Sequence, residues 1–370
     1  MLRQPVMRDD QSAIGAASGP ISDQQRKQAV EAYQFLPPVA LCAGDRFPNF
    51  LLPDQSGAVR SFVERAKGNA IALFCDPDDD LMHRLTAAAP GYDAAMLDRM
   101  AILGGSEADV TARVERLGAN FTVLADPAGK IRQQLRQMTG KSGSKPFIIL
   151  LDRQQRIVDL ASDGDLSAWS LERWRREPAL EDGHRLSTFA PVLIVPNVLS
   201  PADCRALIER WEVLGHEEGT VNSIVGGAKV ERVHKSVKSR RDHPIADMAV
   251  LKSLIGVIGR RLAPELDRAF NFSRFKFDRF IITCYDAERN DYFRRHRDNQ
   301  TPSTEDRRFA LTLNLNTGDY EGGELIFPEY GNHLYSPPAG GAILFSCSLL
   351  HEALPVTRGR RFTLLSFLRN

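Results

Sequence analysis

Short apolar runs alternate with amphipathic stretches through the first half of the chain. NAIALFCDP (69–77) is bounded by Gly68 and Pro77 and reads as a buried strand. MHRLTAAAPGYDAAMLDRM (82–100) predicts a helix, AILGG (101–105) a strand and SEADVTARVERLG (106–118) a second helix. NFTVLAD, the turn PAGK, the helix IRQQLRQM and the hairpin KPFIILLDRQQRIVDL complete the series up to residue 160. Strands alternating with helices predict a mixed α/β sheet with helices on its faces.

The pattern changes after residue 164. GDLSAWSLERWRREPALEDGHRLST begins as a short helix with Trp169 and Trp174, is interrupted at Pro178 and becomes charged, as a linker would. Ser200, Pro201 and Asp203 then form a strong helix start: an N-cap, a proline in the first turn and an acid at the third position. A second helix is predicted over IADMAVLKSLIGVIGRRLAPEL. Beyond it FKFDRFIITCYD, FALTLNLN, GELIFPE, GAILFSCS and RFTLLSFL read as short strands between Gly, Pro and Asn turns. Helices followed by strands predict an α+β domain built on a double-sheet barrel or jelly roll. The expected division is a flexible tail over 1–37, an α/β domain over 38–163, a linker helix over 164–188 and the α+β domain over 189–370.

Composition narrows the function. Forty-eight basic residues against 47 acidic leave a net charge of +1, which argues against nucleic acid or an anionic membrane as partner. Local basic runs such as KSVKSRR (235–241) are expected to be solvated loops. No apolar run reaches the ~20 residues of a membrane span, and the N-terminus lacks the apolar core of a signal peptide. The expected location is therefore cytoplasmic. Five dispersed cysteines with no CxxC pair argue against a disulfide framework or a structural zinc site.

GDRFPNFLLPDQSG (44–57), the LADPAGK turn and the FIILLD strand resemble the redoxin family, which includes the thioredoxin-like and peroxiredoxin proteins. The resemblance spans roughly residues 40–162 and implies a thioredoxin-like fold. It departs at the reactive centre. Peroxiredoxins carry their cysteine a few residues after the strand-ending proline, and here that stretch is PDDDLMHRL, with His83 and Arg84 at the place of the thiol. Cys75 is the remaining redox candidate, but it precedes Pro77 inside an apolar strand beside an acidic run, where no thiolate is stabilised. The domain is expected to have lost peroxidase chemistry and to serve in docking, substrate presentation or homodimerisation.

The candidate chemistry lies in DYFRRHRDNQ (291–300). His296 and Asp298 are two apart, so on an extended segment they point to one side and can offer a nitrogen and an oxygen to one ion. A third ligand must come from elsewhere, and His333 and His351 are the downstream candidates. Two histidines and one carboxylate with open positions form the facial triad of non-haem Fe(II) oxygenases. Ten residues after His351, Arg361 opens the last strand with Thr363 on its side. A guanidinium fork pairs with a carboxylate through two parallel hydrogen bonds, and a nearby hydroxyl can add a third.

This C-terminal set, from NVLSPADCRALIERW through Tyr285 and HRD (296–298) to PPAGGAILFSCSLLHEALPVTRGRRFTLLSFL, resembles the 2-oxoglutarate/Fe(II) dioxygenases of the prolyl 4-hydroxylase-like branch. The resemblance implies a double-stranded β-helix core, iron bound by His296, Asp298 and His351, and the 5-carboxylate of 2-oxoglutarate on Arg361 with help from Tyr285 and Thr363. It also implies O2 as oxidant, ascorbate as a reductant, and decarboxylation of 2-oxoglutarate to succinate. The substrate would be a protein or peptide residue, or an amino-acid-like small molecule, hydroxylated at a C–H bond. The segment NSIVGGAKVERVHKSVKSRRDHP (222–244) is expected to form a lid over the pocket. The alternative is a redox-linked or scaffold protein in which the redoxin domain does thiol chemistry or docks partners and the barrel only binds.

Overall fold

The computed structural model describes residues 22–370 apart from 142, 180–182, 184, 186, 187, 226 and 227. In the first half, five strands form one sheet in the order Thr122–Asp126, Leu97–Gly104, Ala70–Cys75, Phe147–Leu151, Ile157–Ala161. The first three run parallel and the last two are antiparallel. Alternation along Ala70–Cys75 divides two cores. Ala70, Ala72 and Phe74 face the helices Asp79–Ala87, Glu107–Leu117 and Leu166–Trp174, while Ile71, Leu73 and Cys75 face the opposite layer with Phe47, Phe62 and Leu135. Ser106 and Asp109 close a capping box at one helix start, and Gly118 ends that helix in the left-handed conformation.

One predicted boundary changes here. The strand expected at residue 101 begins at Leu97, because Leu97 and Met100 are buried and continue its register, while the predicted helix is two short ones, Asp79–Ala87 and Ala89–Ala94. The helix assigned to a linker packs into the first core through Leu166 and Trp174. Of the expected tail, residues 1–21 lie outside the described residues, Asp23–Ala32 is a capped helix, Phe35 is buried against the helices and sheet of the second half, and Arg26 pairs with Glu209 at 2.9 Å.

In the second half, strands follow the order Val192–Val195, Ala342–Ser346, Arg307–Asn314, Arg360–Arg369, Ile281–Asp286, Arg241–Pro244, Glu217–Glu218 in one antiparallel sheet. A smaller sheet follows the order Lys238–Ser239, Tyr292–His296, His351–Ala353, Leu325–Ile326. One core lies between the large sheet and the helices Pro201–Leu214 and Met248–Phe270, and it takes Phe362, Leu364 and Leu368 from the last strand. The other joins the two sheets through Tyr285, Ala310, Phe345, Leu325 and Ala353.

Helix Met248–Phe270 also joins the halves through charge. Asp45, 2% exposed, accepts from Arg260 Nε at 2.9 Å and Nη2 at 2.7 Å, and Glu265 accepts from Arg46 at 2.6 Å. Arg261 Nη1 donates to the Val198 carbonyl at 2.9 Å and Nη2 to that of Ala43 at 3.1 Å. Among the described residues no helix is long and apolar enough to cross a membrane.

Candidate metal centre and its pocket

Two strand registers assemble the site. In the small sheet His296 lies directly opposite His351, after an irregularity that follows Phe293. In the large sheet Tyr285 lies opposite Arg361 and Thr283 opposite Thr363. Asp298 follows His296 on a loop held by its own N–H, which donates to the Cys347 carbonyl at 2.9 Å. One donor atom from each of His296, Asp298 and His351 lies within 4.8 Å of the others. The Nε2 atoms of His296 and His351 are each 3.5 Å from a different oxygen of Asp298.

The imidazoles are oriented from behind. His296 Nδ1 lies 2.7 Å from the Arg294 carbonyl and His351 Nδ1 lies 3.0 Å from the Leu349 carbonyl. A carbonyl only accepts, so each Nδ1 carries the proton and each Nε2 keeps its lone pair toward the shared point. Phe293 stacks on His296 with ring centres 3.6 Å apart, and Phe345 packs edge-on to His351. Burial pushes the His351 pKa down to about 4 despite the nearby Asp298 carboxylate, which keeps the ring neutral near pH 7. Burial opposes ionisation of Asp298, but His351, His296 and Arg307 outweigh it and hold the carboxyl below its ordinary range. A neutral His351 imidazole beside an ionised Asp298 carboxylate is the donor state that a divalent metal requires of these two groups. Two nitrogens and one oxygen clustered on one side fit iron(II) with room for further ligands.

Arg361 is 3% exposed and lines a cavity of about 60 Å³ together with Tyr285, Thr363, His296, Asp298 and His351. Its Nη2 donates to Asn314 Oδ1 at 3.0 Å, while its Nε is buried with no acceptor among the described residues. An unmatched donor on a buried guanidinium suits an incoming carboxylate. Strand alternation selects Arg361 over its neighbours. Arg358 and Arg360 point outward to Glu321 and Glu212. The Thr363 hydroxyl lies 2.6 Å from that of Thr283, and the Tyr285 hydroxyl accepts from Arg240 Nη1 at 2.9 Å. His333 stands apart, exposed and 3.2 Å from the Thr188 carbonyl.

Gly323 explains the paired glycines before ELIFP. Its φ is +74°, and a Cβ there would sit 2.8 Å from Arg361 Cδ and 3.0 Å from Val356 Cγ2. If Arg361 holds 2-oxoglutarate, as the resemblance implies, Gly323→Ala is expected to displace its stem and weaken co-substrate binding roughly tenfold while iron affinity is retained. Titration calorimetry of iron and then 2-oxoglutarate separates the two effects.

The basic run expected to be solvated is exposed at Lys235 and Ser236 but not at Lys238 and Arg240. Lys238 and Arg240 are 4% and 5% exposed and share Asp242, because the small sheet and the strand Arg241–Pro244 draw the segment into the wall of the pocket. Within the segment expected as a lid, Gly226 and Gly227 lie outside the described residues. Its backbone pairs Val221–Val225 with Ala228–Arg232. Sequence reasoning missed Lys238, Arg240 and Asn314. Alternating small and basic residues in KSVKSRR were the available signal, because alternate positions of an edge strand face inward.

Cys75 is fully buried. Burial and the adjacent Asp76 push its thiol pKa up, against Arg136 and Arg132, so the thiol stays protonated. All five cysteines are unpaired, and only Cys42 is partly exposed. Brief alkylation of the native protein is expected to spare Cys75, with denaturation required before it reacts. Rapid native labelling of Cys75, read by peptide mass spectrometry, would contradict its burial.

One family match falls on the segment that carries His296, Asp298, His351 and Arg361. The 2OG-Fe(II) oxygenase superfamily matches residues 280–369. A PKHD-type hydroxylase of Xanthomonas campestris pv. campestris (strain 8004) is 29% identical over 195 residues, covering 48% of this chain and 80% of the relative. A PKHD-type hydroxylase of Janthinobacterium sp. (strain Marseille) is 26% identical over 185 residues, covering 46% and 74%. Among solved structures, a Pseudomonas putida prolyl-4-hydroxylase is 21% identical with a TM-score of 0.37, covering 49% of this chain and 94% of its own. The peroxidoxin BcpB of Mycobacterium tuberculosis is 20% identical with a TM-score of 0.34, covering 38% and 99%. That superfamily works with iron(II), 2-oxoglutarate and O2. With its matched segment running from the strand that bears Tyr285 to the strand that bears Arg361, the chain carries a 2OG-Fe(II) oxygenase domain and is an oxidoreductase of the dioxygenase type.

Proposed function

We propose that the chain hydroxylates a C–H bond of a protein or peptide residue, or of an amino-acid-like small molecule, while 2-oxoglutarate is converted to succinate and carbon dioxide. One atom of O2 would enter the product alcohol and the other the succinate. The observation that carries this reading is the convergence of His296, Asp298 and His351 within 4.8 Å beside a buried Arg361 whose Nε lacks an acceptor. Iron(II), when bound, supplies the oxidation of an unactivated C–H bond, which no side chain can perform.

The residues then divide the work. His296, Asp298 and His351 hold the metal on one side and leave the remaining positions open. Arg361 pairs with the far carboxylate of 2-oxoglutarate and fixes its orientation, with Tyr285 and Thr363 alongside. Phe293, Phe345, Leu365 and Phe367 line the pocket and limit water. On this reading the two facing sheets are the halves of a double-stranded β-helix, 189–370 is the catalytic unit, and ascorbate serves as reductant. The redoxin-like unit, 38–163, docks a partner, presents substrate or pairs two copies. The buried Cys75 thiol weighs against the alternative in which that unit does the chemistry.

Anaerobic addition of iron(II) and 2-oxoglutarate to the purified chain is expected to give the weak visible charge-transfer absorption of a chelated ferrous centre. Its absence at saturating concentrations of both would overturn the proposal. The substrate can be sought in cell extracts as species that gain the mass of one oxygen atom only when 2-oxoglutarate is present.

A further inference from the structure

A cleft of about 430 Å³ opens on His296 and Asp298 beside the smaller cavity. Its wall is cationic, with Lys238, Arg240, Arg279, Arg297 and Arg307 against the single carboxylate of Asp298. Some of these charges are matched from behind. Arg297 pairs with Glu329 at 2.6 Å and Arg307 with Asp278 at 2.8 Å. Lys238 and Arg240 are different, because they share the one carboxylate of Asp242, at 3.1 and 2.8 Å. Two of the three Lys238 ammonium protons have acceptors among the described residues, the Thr220 carbonyl at 2.8 Å and Asp242.

Among the described residues one positive charge is therefore left over in a group of three residues that are each less than a tenth exposed. A buried, unmatched charge is costly, and such a cost is tolerated where a ligand offsets it. The catalytic components do not offset it. A divalent metal, the Asp298 carboxylate, the dianion of 2-oxoglutarate and the Arg361 guanidinium together sum to neutrality.

We propose that the substrate carries a carboxylate and that Lys238, with Arg240, binds it at the wall of this cleft. The inference rests on the dioxygenase reading and deepens it. The shared chemistry is a carboxylate, supplied either by an acidic peptide or by a free carboxylic acid.

The test uses the full chain with iron(II) and saturating 2-oxoglutarate, without oxygen. A fluorescein-labelled peptide rich in Asp and Glu is compared, by anisotropy, with its Asn and Gln counterpart. The acidic peptide is expected to bind roughly tenfold tighter, with the preference shrinking as salt rises. Lys238→Gln should abolish most of the preference, Lys238→Arg should restore it, and Arg295→Gln, a cation outside the cleft, should leave it unchanged. Displacement by N-acetylglutamate at concentrations comparable to the peptide would assign the carboxylate to a small molecule, and its failure to displace would assign it to a peptide. Equal affinity for the two peptides, with the charge-transfer band present, overturns this proposal and leaves the dioxygenase reading standing. A preference for the acidic peptide without the band would uphold the carboxylate site and overturn that reading.

Discussion

Asp298→Ala is expected to lower iron affinity by on the order of a hundredfold or more and to abolish 2-oxoglutarate turnover, with the fold intact. The expectation follows from what the carboxylate does. Changes to groups that merely orient a metal ligand typically cost 10–100-fold, and Asp298 supplies one of only three donor atoms that converge here. It is also the only anion among them, so two neutral imidazoles remain to hold a divalent ion. The variant should fold, because the backbone bond from Asp298 N–H to the Cys347 carbonyl survives and the pocket around the side chain stays lined by Phe293 and Phe345. Circular dichroism and a melting curve on metal-free protein establish folding, and iron titration measures the loss. Iron binding at wild-type affinity in this variant would place the metal elsewhere.

Arg361→Leu is expected to raise the 2-oxoglutarate KM by on the order of a hundredfold and to leave iron affinity nearly unchanged. Truncating one partner of a buried, hydrogen-bonded charge pair costs roughly 2–5 kcal/mol, most of it from the charge left unmatched. Here that charge would be the far carboxylate of the co-substrate, in a cavity where Arg361 is 3% exposed. Arg361→Lys should recover part of the loss, since an ammonium restores charge without the two-pronged geometry of the guanidinium. Asn314 would also lose a donor at 3.0 Å, so a modest fall in melting temperature is expected from Arg361→Leu. An unchanged KM would move the co-substrate's carboxylate to another cation, and Arg240, beside Tyr285, would be the next to replace.

These predictions show how unevenly the molecule could be read in advance. The strands of the first sheet were legible because Ala70–Cys75 and Phe147–Leu151 are buried on both faces and appear as unbroken apolar runs. The helix at Glu107–Leu117 announces itself through Ser106 and Gly118. The strand from Leu97 was hidden because its first residues read as the end of an amphipathic helix, and only pairing with Ala70–Cys75 settles the competition. Tyr292–His296 was harder still, since a strand of Tyr, Phe, Arg and His resembles a charged loop until a partner strand supplies its hydrogen bonds.

For the site, local order carries the residue types and their periodicity. His-x-Asp, a histidine after a late apolar strand, and an arginine on the alternation that faces away from Phe362 and Leu364 are all properties of neighbouring residues, because side-chain direction repeats along a strand. What the sequence determined by itself was therefore the chemistry on offer and the inward side of the last strand. Which histidine completes the trio, and that Lys238 and Arg240 are drawn inward onto one Asp242, are long-range facts. They depend on which strands pair and in what register, and that is decided only when the whole domain buries its two cores.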